Sequence, residues 1–441
     1  MDHFSPTEVH RDDLELDQLI RSDSVHRRVY TDPKIFALER ERIFGRAWLY
    51  VGHESQVAQK GDFFTTEMAG QPVVMVRHSD GTVRVLFNRC GHRGAKVVPQ
   101  RQGRTQSFVC GYHAWTYDTD GRLTHATAHE GARARDFDIA DPCFSMRPVP
   151  RCESYRGFVF ASLAPDGPGL TEYLGGVLAR IDDMVDRSPD DALEIAGGCL
   201  QIVQNSNWKI FLENTHDGLH PMSVHRSSID ASRRQARQLP GNPPFALNVI
   251  MANNQGLEQM DKLSVSTFEW GHSYMAGFRN PRSEDTVFKA YVAALEARKG
   301  RERADEILAI NCHNAVFYPN ASVQPSFLQM RVIFPIAVDR TRVEMWSFKL
   351  KGAPDALFER TVTYANVVHS PSSLIRPDDI EAYDRVQSGL HADAGDWVSQ
   401  HRDAGRDEIL DDRRRATALS DLPMRNQYRA WARFMGGESL P

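Results

Sequence analysis

The sequence predicts an α+β protein in two parts: a small antiparallel β domain, then a larger domain with a central antiparallel sheet and surrounding helices. Three observations carry this reading. Short β-rich runs with glycines between them fill residues 48–165. Helical and strand-like segments alternate irregularly through residues 166–441. The 441 residues are 41% hydrophobic and 25% charged, an ordinary folded composition long enough for two or three domains.

The elements follow in order. Residues 1–47 form an N-terminal helical segment expected to pack on the larger domain. Within it, Asp32-Pro33 starts a helix, and Ile35, Leu38 and Ile43 give it an apolar stripe. Gly61, Gly70, Gly81, Gly103 and Gly121 punctuate the β-rich runs that follow, which close near the turn at 165–168. Beyond it, helices are expected at 171–187, 203–220, 285–309, 353–369 and 379–390. Strands are expected at 193–203, 244–252, 264–277, 324–338 and 342–351. The 285–309 stretch reads as a charged surface helix broken near Gly300.

Fifty-three basic against 58 acidic side chains leave a net charge of −5, without the basic face that nucleic-acid binding wants. No apolar run approaches the roughly 18–20 residues that span a bilayer. The acidic N-terminus has no signal-peptide core, and the six cysteines are scattered, which reads as thiols or metal ligands in the cytoplasm.

Chemistry concentrates first at Cys90-Gly91-His92 and Cys110-Gly111-Tyr112-His113. Each motif follows a β run, so two hairpin tips can converge, each offering one thiolate and one imidazole. Zinc is the alternative, but zinc fingers usually pair Cys with Cys and His with His in each half. One of each per loop suits a Rieske [2Fe–2S] cluster, with both cysteines on one iron and both histidines on the other. Neutral imidazoles reduce the negative charge on such a cluster and raise its potential. Gly91, Gly94 and Gly111 let backbone N–H groups approach the sulfurs, with the same effect. The stretch from Asn88 to Leu123, including Trp115 and its Tyr117–Leu123 continuation, resembles the Rieske domain of aromatic-ring-hydroxylating oxygenase large subunits.

A second cluster runs from Asn207 to His225. On one helix, Glu213, Asp217 and His220 would share a face. His220 and His225 lie about 140° apart on a continuous helix, a conflict that Pro221 resolves by breaking it. Two histidines and a carboxylate with open positions make the facial triad of non-haem Fe(II) oxygenases. The carboxylate is sought at Asp378 or Asp379. Asp379 shares a stripe with Tyr383, Val386 and Leu390, the expected buried face, and is preferred. Asp378 falls on the wet face and reads as a cap.

This region also resembles the oxygenases' catalytic motif, and the likeness runs from about residue 28 to about 432. It implies that His220, His225 and Asp379 hold a mononuclear Fe(II). It further implies that Asp217 bridges this iron to the Rieske centre of a neighbouring subunit. A carboxylate three residues before His220 could also accept its free ring N–H. Leu219 stands where many relatives have Tyr, His216 reads as a non-ligand, and Asn214 is a candidate for the active-site lining. Electrons would come from NAD(P)H through a separate reductase, with or without a ferredoxin, since the chain has no G-x-G-x-x-G fingerprint. The assembly implied is a head-to-tail trimer, with or without a small beta subunit.

The motif spacing around Glu213–Asp217 resembles the aromatic-carboxylate oxygenases, which act on benzoate, terephthalate or salicylate. The implied reaction is hydroxylation, chiefly cis-dihydroxylation, of an aromatic substrate by O2. A carboxylated ring wants a cation in its pocket, and Arg331, Arg342 and Arg226 are the candidates. Segments 245–280 and 310–330 line that pocket by resemblance. Three rivals remain at this level: a Rieske mono-oxygenase or demethylase on an alkyl, ether or amine substrate, an electron carrier without mononuclear iron, and a zinc-binding structural protein. The joint presence of His220, His225 and Asp379 counts against the electron carrier.

Overall fold

A computed structural model describes residues 15–127, 137–252, 256–277 and 285–436. Its first part is built from three small antiparallel sheets. Four strands pair in the order Val83–Phe87, Gln71–Arg77, Asp62–Met68, Gln102–Arg104. Ser107–Val109, Thr116–Asp118 and Leu123–His125 make a second sheet. Arg151–Tyr155, Phe158–Ser162 and Leu49–His53 make the third. One apolar cluster joins the first two sheets, with Phe63, Val74, Leu86, Phe108, Trp115 and Met146 around Cys90 and Cys110, while the third sheet packs into the main core through Leu49, Val51, Phe158 and Phe160.

The larger part is a nine-stranded antiparallel sheet. Its longest ladder lies at one edge, between Leu193–Gln204 and Arg340–Leu350, and runs from Leu193 opposite Leu350 to Gln204 opposite Thr341. The ladder bulges between Ala196 and Cys199. Gly197 and Gly198 take φ of 76° and 82° there, a left-handed backbone that a side chain would strain. Gln329–Ala337, Ala321–Gln324 and Cys312–Phe317 continue the sheet, and four shorter strands end it. The α+β architecture is therefore as the sequence predicts, with the helix at 285–309 broken at Gly300.

Several local expectations are corrected. Residues 244–252 are not a strand but the helix Phe245–Met251. A short apolar run carries no period that separates helix from strand. Here Pro244 leads into a helix, which buries Val249 and Ile250 against Ile229, Tyr364, Val368 and Ile375. The expected helix at 203–220 is strand as far as Gln204. It becomes helical only at Trp208–Thr215, where Asn207 caps it by accepting the Lys209 N–H. Residues 264–277 form a hairpin, Ser264–Thr267 with Ser273–Ala276. The last expected helix begins earlier, as Arg376–Gly389.

The N-terminal segment is tied to the larger part by buried polar contacts. Asp32 caps the helix Pro33–Arg42 by accepting the Lys34 N–H. From that helix, the fully buried Glu39 carboxylate accepts from Lys209 Nζ at 2.6 Å, Trp431 Nε1 at 2.6 Å and Trp208 Nε1 at 2.8 Å. Ser24–His26 pairs with Trp397–Ser399. The Tyr30 hydroxyl donates to Glu213 at 2.9 Å, and the Tyr428 hydroxyl donates to the same oxygen.

Burial pushes the Glu213 carboxyl up to about 7, against the pull of the two phenols. Folding therefore favours the protonated form. That contribution is fully present below the unfolded value near 4.5 and is lost as pH rises through about 7. Glu213→Gln keeps a neutral group at every pH. The stability of this variant relative to wild type, from urea midpoints, is expected to rise between pH 4.5 and 7. A flat difference would mean that Glu213 is ionised in the fold throughout. His53, His216, His272 and His313, whose imidazoles burial pulls down to about 3 or 4, act in both proteins and cancel in the comparison.

Candidate active site

The helix Trp208–Thr215 sets the site because its buried face is locked against Glu39 and the core. It ends at Thr215, and residues 216–219 turn. Pro221 then sits in the first turn of a second, short helix, His220–Val224, rather than breaking a continuous one. His225 ends that helix, and Arg226–Gln238 continues from it. The two imidazoles thus face one point from either end of a single short helix, with ring centroids 5.5 Å apart.

Asp379 meets them from the helix Arg376–Gly389. Its Oδ1 lies 3.2 Å from His225 Nε2 and 3.6 Å from His220 Nε2, and one potential ligand atom from each of the three residues falls within 4.8 Å of the others. The buried stripe of this helix is Arg376, Asp379, Tyr383 and Gln387. Val386, expected on it, is exposed, because the burial period follows i+3 and i+4 steps that pass through 383 and 387. Asp378 is not a cap either. It lies inside the first turn, and its Oδ2 takes the His225 Nδ1–H at 3.3 Å and the Ser228 hydroxyl at 3.4 Å.

The ring orientations favour metal binding. His220 Nδ1–H donates to the backbone carbonyl of Asp217 at 2.8 Å, and a carbonyl can only accept. With Nδ1–H of each ring so engaged, Nε2 carries the lone pair toward Asp379. Burial pulls His220 down, which keeps it neutral. Burial also pulls His225 down, but Asp379 and Asp378 push it up further. Burial pushes Asp379 up, yet His225, Arg376 and His220 together hold it below its ordinary value, so it is charged. Asp379 Oδ1 is buried and receives no hydrogen bond. An ionised Asp379 oxygen beside the Nε2 atoms of two oriented imidazoles is a donor set that fits a divalent iron.

His220, His225 and Asp379 border a cavity of about 360 Å³. The cavity draws on both segments expected to line it, with Phe245 and Met260 from one and His313 and Phe327 from the other, and on Asn214, whose side-chain oxygen accepts from Tyr383 at 2.7 Å. Of the candidate cations, Arg331 lines it. Arg342 instead pairs with Glu67, and Arg226 is exposed. His216 is buried elsewhere, its ring nitrogens bonded to Ser273 and the Asn314 carbonyl.

Asp217 departs from expectation. The helix ends before it, so Glu213, Asp217 and His220 share no face. It is its carbonyl, not its carboxylate, that orients His220. The carboxylate turns back to accept the Leu219 N–H at 2.9 Å and Arg402 Nη2 at 3.2 Å, and Arg402 is itself held by Asp421 at 2.7 Å.

The Cys–His loops form two similar tips. Gly94 N–H bonds the Cys90 carbonyl and Cys90 N–H the Ala95 carbonyl. Ala114 and Cys110 repeat the pattern with the Cys110 and Trp115 carbonyls. Cys90 and Cys110 are buried and free of disulfides. The His92 and His113 rings lie 4.7 Å apart, and Trp115 stacks on His92 at 4.8 Å and 10°. The Tyr117 hydroxyl accepts the Gly91 N–H at 3.0 Å and lies 3.0 Å from Cys90 Sγ, to which it donates when the sulfur is a thiolate. A Cβ on Gly91 would fall 2.1 Å from the Phe144 carbonyl oxygen, so only glycine fits there. Two thiols, two paired imidazoles and a phenolic donor to sulfur fit a [2Fe–2S] centre. Among the described residues none of these four lines the cavity.

Sequence reasoning missed Arg376, His369, Arg402, Tyr117 and the role of Asp378. Arg376 had a local signal, three residues before Asp379 on the same helix. The others act through contacts distant in sequence.

Comparison with known proteins agrees with this architecture. The Rieske [2Fe-2S] domain family matches residues 47–139, and the ring hydroxylating alpha subunit (catalytic domain) family matches residues 187–436. The chain is 31% identical over 383 residues to the toluate 1,2-dioxygenase alpha subunit of Pseudomonas putida, covering 85% of this chain and 82% of that one. It is 31% identical over 379 residues to the 2-halobenzoate 1,2-dioxygenase large subunit of Burkholderia cepacia, covering 86% and 79%. A solved naphthalene 1,2-dioxygenase with indole in its active site shares the fold, with a TM-score of 0.80 at 24% identity over 95% of this chain and 94% of that one. A Rieske domain joined to a ring-hydroxylating catalytic domain, in a chain that matches such subunits along most of its length, makes this protein a member of the ring-hydroxylating oxygenase alpha-subunit family: a terminal oxygenase with a Rieske cluster and a mononuclear iron.

Proposed function

We propose that the chain dihydroxylates an aromatic ring bearing a carboxylate, with Cys90, His92, Cys110 and His113 holding the cluster and His220, His225 and Asp379 the iron. The observation that carries this reading is the convergence of two oriented imidazoles and one unprotonated carboxylate on the wall of a cavity large enough for a substituted benzene. The likeness to toluate and 2-halobenzoate dioxygenase subunits supports the carboxylated ring.

When bound, the iron supplies dioxygen activation beside the ring, and the cluster supplies single electrons. The chain's residues do the rest. The Asp217 carbonyl and the Asp378 carboxylate hold the two imidazoles in one tautomer. Arg376, 3.6 Å from Asp379 Oδ2, holds the free end of that carboxylate. Apolar side chains around the cavity keep water from the reacting face.

Because, among the described residues, no proposed cluster ligand lines the cavity, electrons are read as crossing from a neighbouring subunit through Asp217. Its Oδ1 is occupied and its side chain is about one quarter exposed. This supports a head-to-tail trimer, with or without a small beta subunit, fed from NAD(P)H by a separate reductase. The division is read as 1–47, 48–165 and 166–441, and the compartment as the cytoplasm. Among the described residues no helix is long and apolar enough to cross a membrane.

Protein purified without oxygen is expected to hold about three irons and two acid-labile sulfides per chain, and Asp379→Ala about two irons with the cluster spectrum intact. With a generic reductase, benzoate and 18O2, both labelled atoms are expected in the product. A single labelled atom would indicate mono-oxygenation. Asp217→Asn is expected to keep both metal sites filled while turnover falls about 100-fold. Normal turnover would remove the bridging role.

A further inference from the structure

Arg331 lies in the strand Gln329–Ala337, opposite Ser322 on one side and Met345 on the other. It is 5% exposed and borders the same cavity as His220, His225 and Asp379. Its Nη2 donates to Asn314 Oδ1 at 2.7 Å. The Asn314 amide is fixed in that sense, because its Nδ2 donates to the Thr215 carbonyl at 2.9 Å. Phe211 lies 5.7 Å from the guanidinium carbon. Arg331 Nε is buried without an acceptor, and among the described residues no carboxylate stands within ion-pair distance of this side chain.

The other cation of the wall is committed. Arg376 faces Asp379 Oδ2 and donates from Nη2 to His369 Nδ1 at 3.1 Å. His369 Nε2–H donates to Gln324 Oε1 at 2.7 Å. Burial holds this imidazole well below its ordinary range, so it stays neutral and compensates neither arginine. Burial also pulls the Arg331 guanidinium down, to about 10, which still leaves it charged at neutral pH. A buried, charged group survives in a fold when it is paired, and a guanidinium lacking its counter-ion calls for one. The remaining wall includes Phe211, Met222, Val249, Met260, Val368 and Ile375, an apolar surface suited to a ring.

We infer that Arg331 is the anion anchor of this cavity. It takes the carboxylate of an aromatic acid in its guanidinium fork, oriented by Asn314, while the ring lies on the apolar wall toward His220, His225 and Asp379. A single uncompensated cation selects a monoanion, and a planar fork matches a carboxylate in two hydrogen bonds. A fixed anchor also selects which ring edge faces the metal site, so Arg331 sets regiochemistry as well as affinity. This rests on the aromatic-carboxylate reading and goes beyond it by assigning the residue that recognises the acid.

The test uses the holoenzyme and calorimetric titration with benzoate, salicylate and anthranilate, each against its neutral amide. Wild type is expected to bind at least one acid about 100-fold more tightly than the matching amide. Arg331→Met is expected to lose that preference and to bind the amide within about threefold of wild type, with iron and sulfide unchanged. Arg331→Lys keeps the charge without the fork, and is expected to weaken the acid about tenfold and leave the amide unaffected. The lysine variant and the wild-type comparison decide the matter even where the methionine variant does not fold. An acid preference undiminished from wild type in the lysine variant, or retained in the methionine variant, overturns the anchor and leaves the carboxylate reading standing. A wild type with no preference for any acid overturns both.

Discussion

The structure depends on one buried carboxylate. Glu39, from the first long helix, takes hydrogen bonds from Lys209, Trp208 and Trp431, and so joins the N-terminal segment, the helix that leads into the site and the C-terminal helix Leu422–Met435. Neither Lys209 nor Glu39 has any exposed side-chain surface. Two charges taken so far from water hold one geometry strictly, because each is costly without the other. The helix Trp208–Thr215 therefore cannot rotate, and the turn after it delivers His220 to a set place.

From that place the electrostatics follow. Each imidazole gives its Nδ1–H to an oxygen of the protein and turns Nε2 inward. The adjacent aspartates divide the work, with Asp378 orienting His225 and Asp379 facing both rings. His225 and, from beyond Asp379, Arg376 keep that carboxylate ionised. Two arginines on one wall would repel each other unopposed. Arg376 is balanced by Asp379, whereas among the described residues no carboxylate stands within ion-pair distance of Arg331.

The fold class was legible because a β-rich run with glycine turns and a mixed helical stretch look different at the level of composition and period. Local ligand spacing was legible too. The structure brings His220, His225 and Asp379 together, and sets Cys90, His92, Cys110 and His113 on paired loop tips. What escaped had no local period or depended on distant partners. Residues 245–251 are apolar enough for strand or helix, and Pro244 with a waiting hydrophobic surface decides it. Val386 is exposed because the buried stripe of its helix passes through Tyr383 and Gln387 instead. Asp217 was assigned a contact that its backbone makes instead, because the helix ends two residues earlier and the carboxylate is drawn to Arg402, 185 positions away in sequence.

The short turn at 216–219 has one more consequence. Asp217 carries a partly exposed carboxylate, and its own carbonyl holds His220. Surface and candidate ligand are thus separated by three residues of backbone and one hydrogen bond. Any contact that steadies residue 217 steadies the imidazole, and metal affinity rises with it. Reciprocity requires that a metal on His220 strengthen that outer contact by the same factor. A contact at the surface and the setting of a buried imidazole are, at this turn, two readings of a single equilibrium.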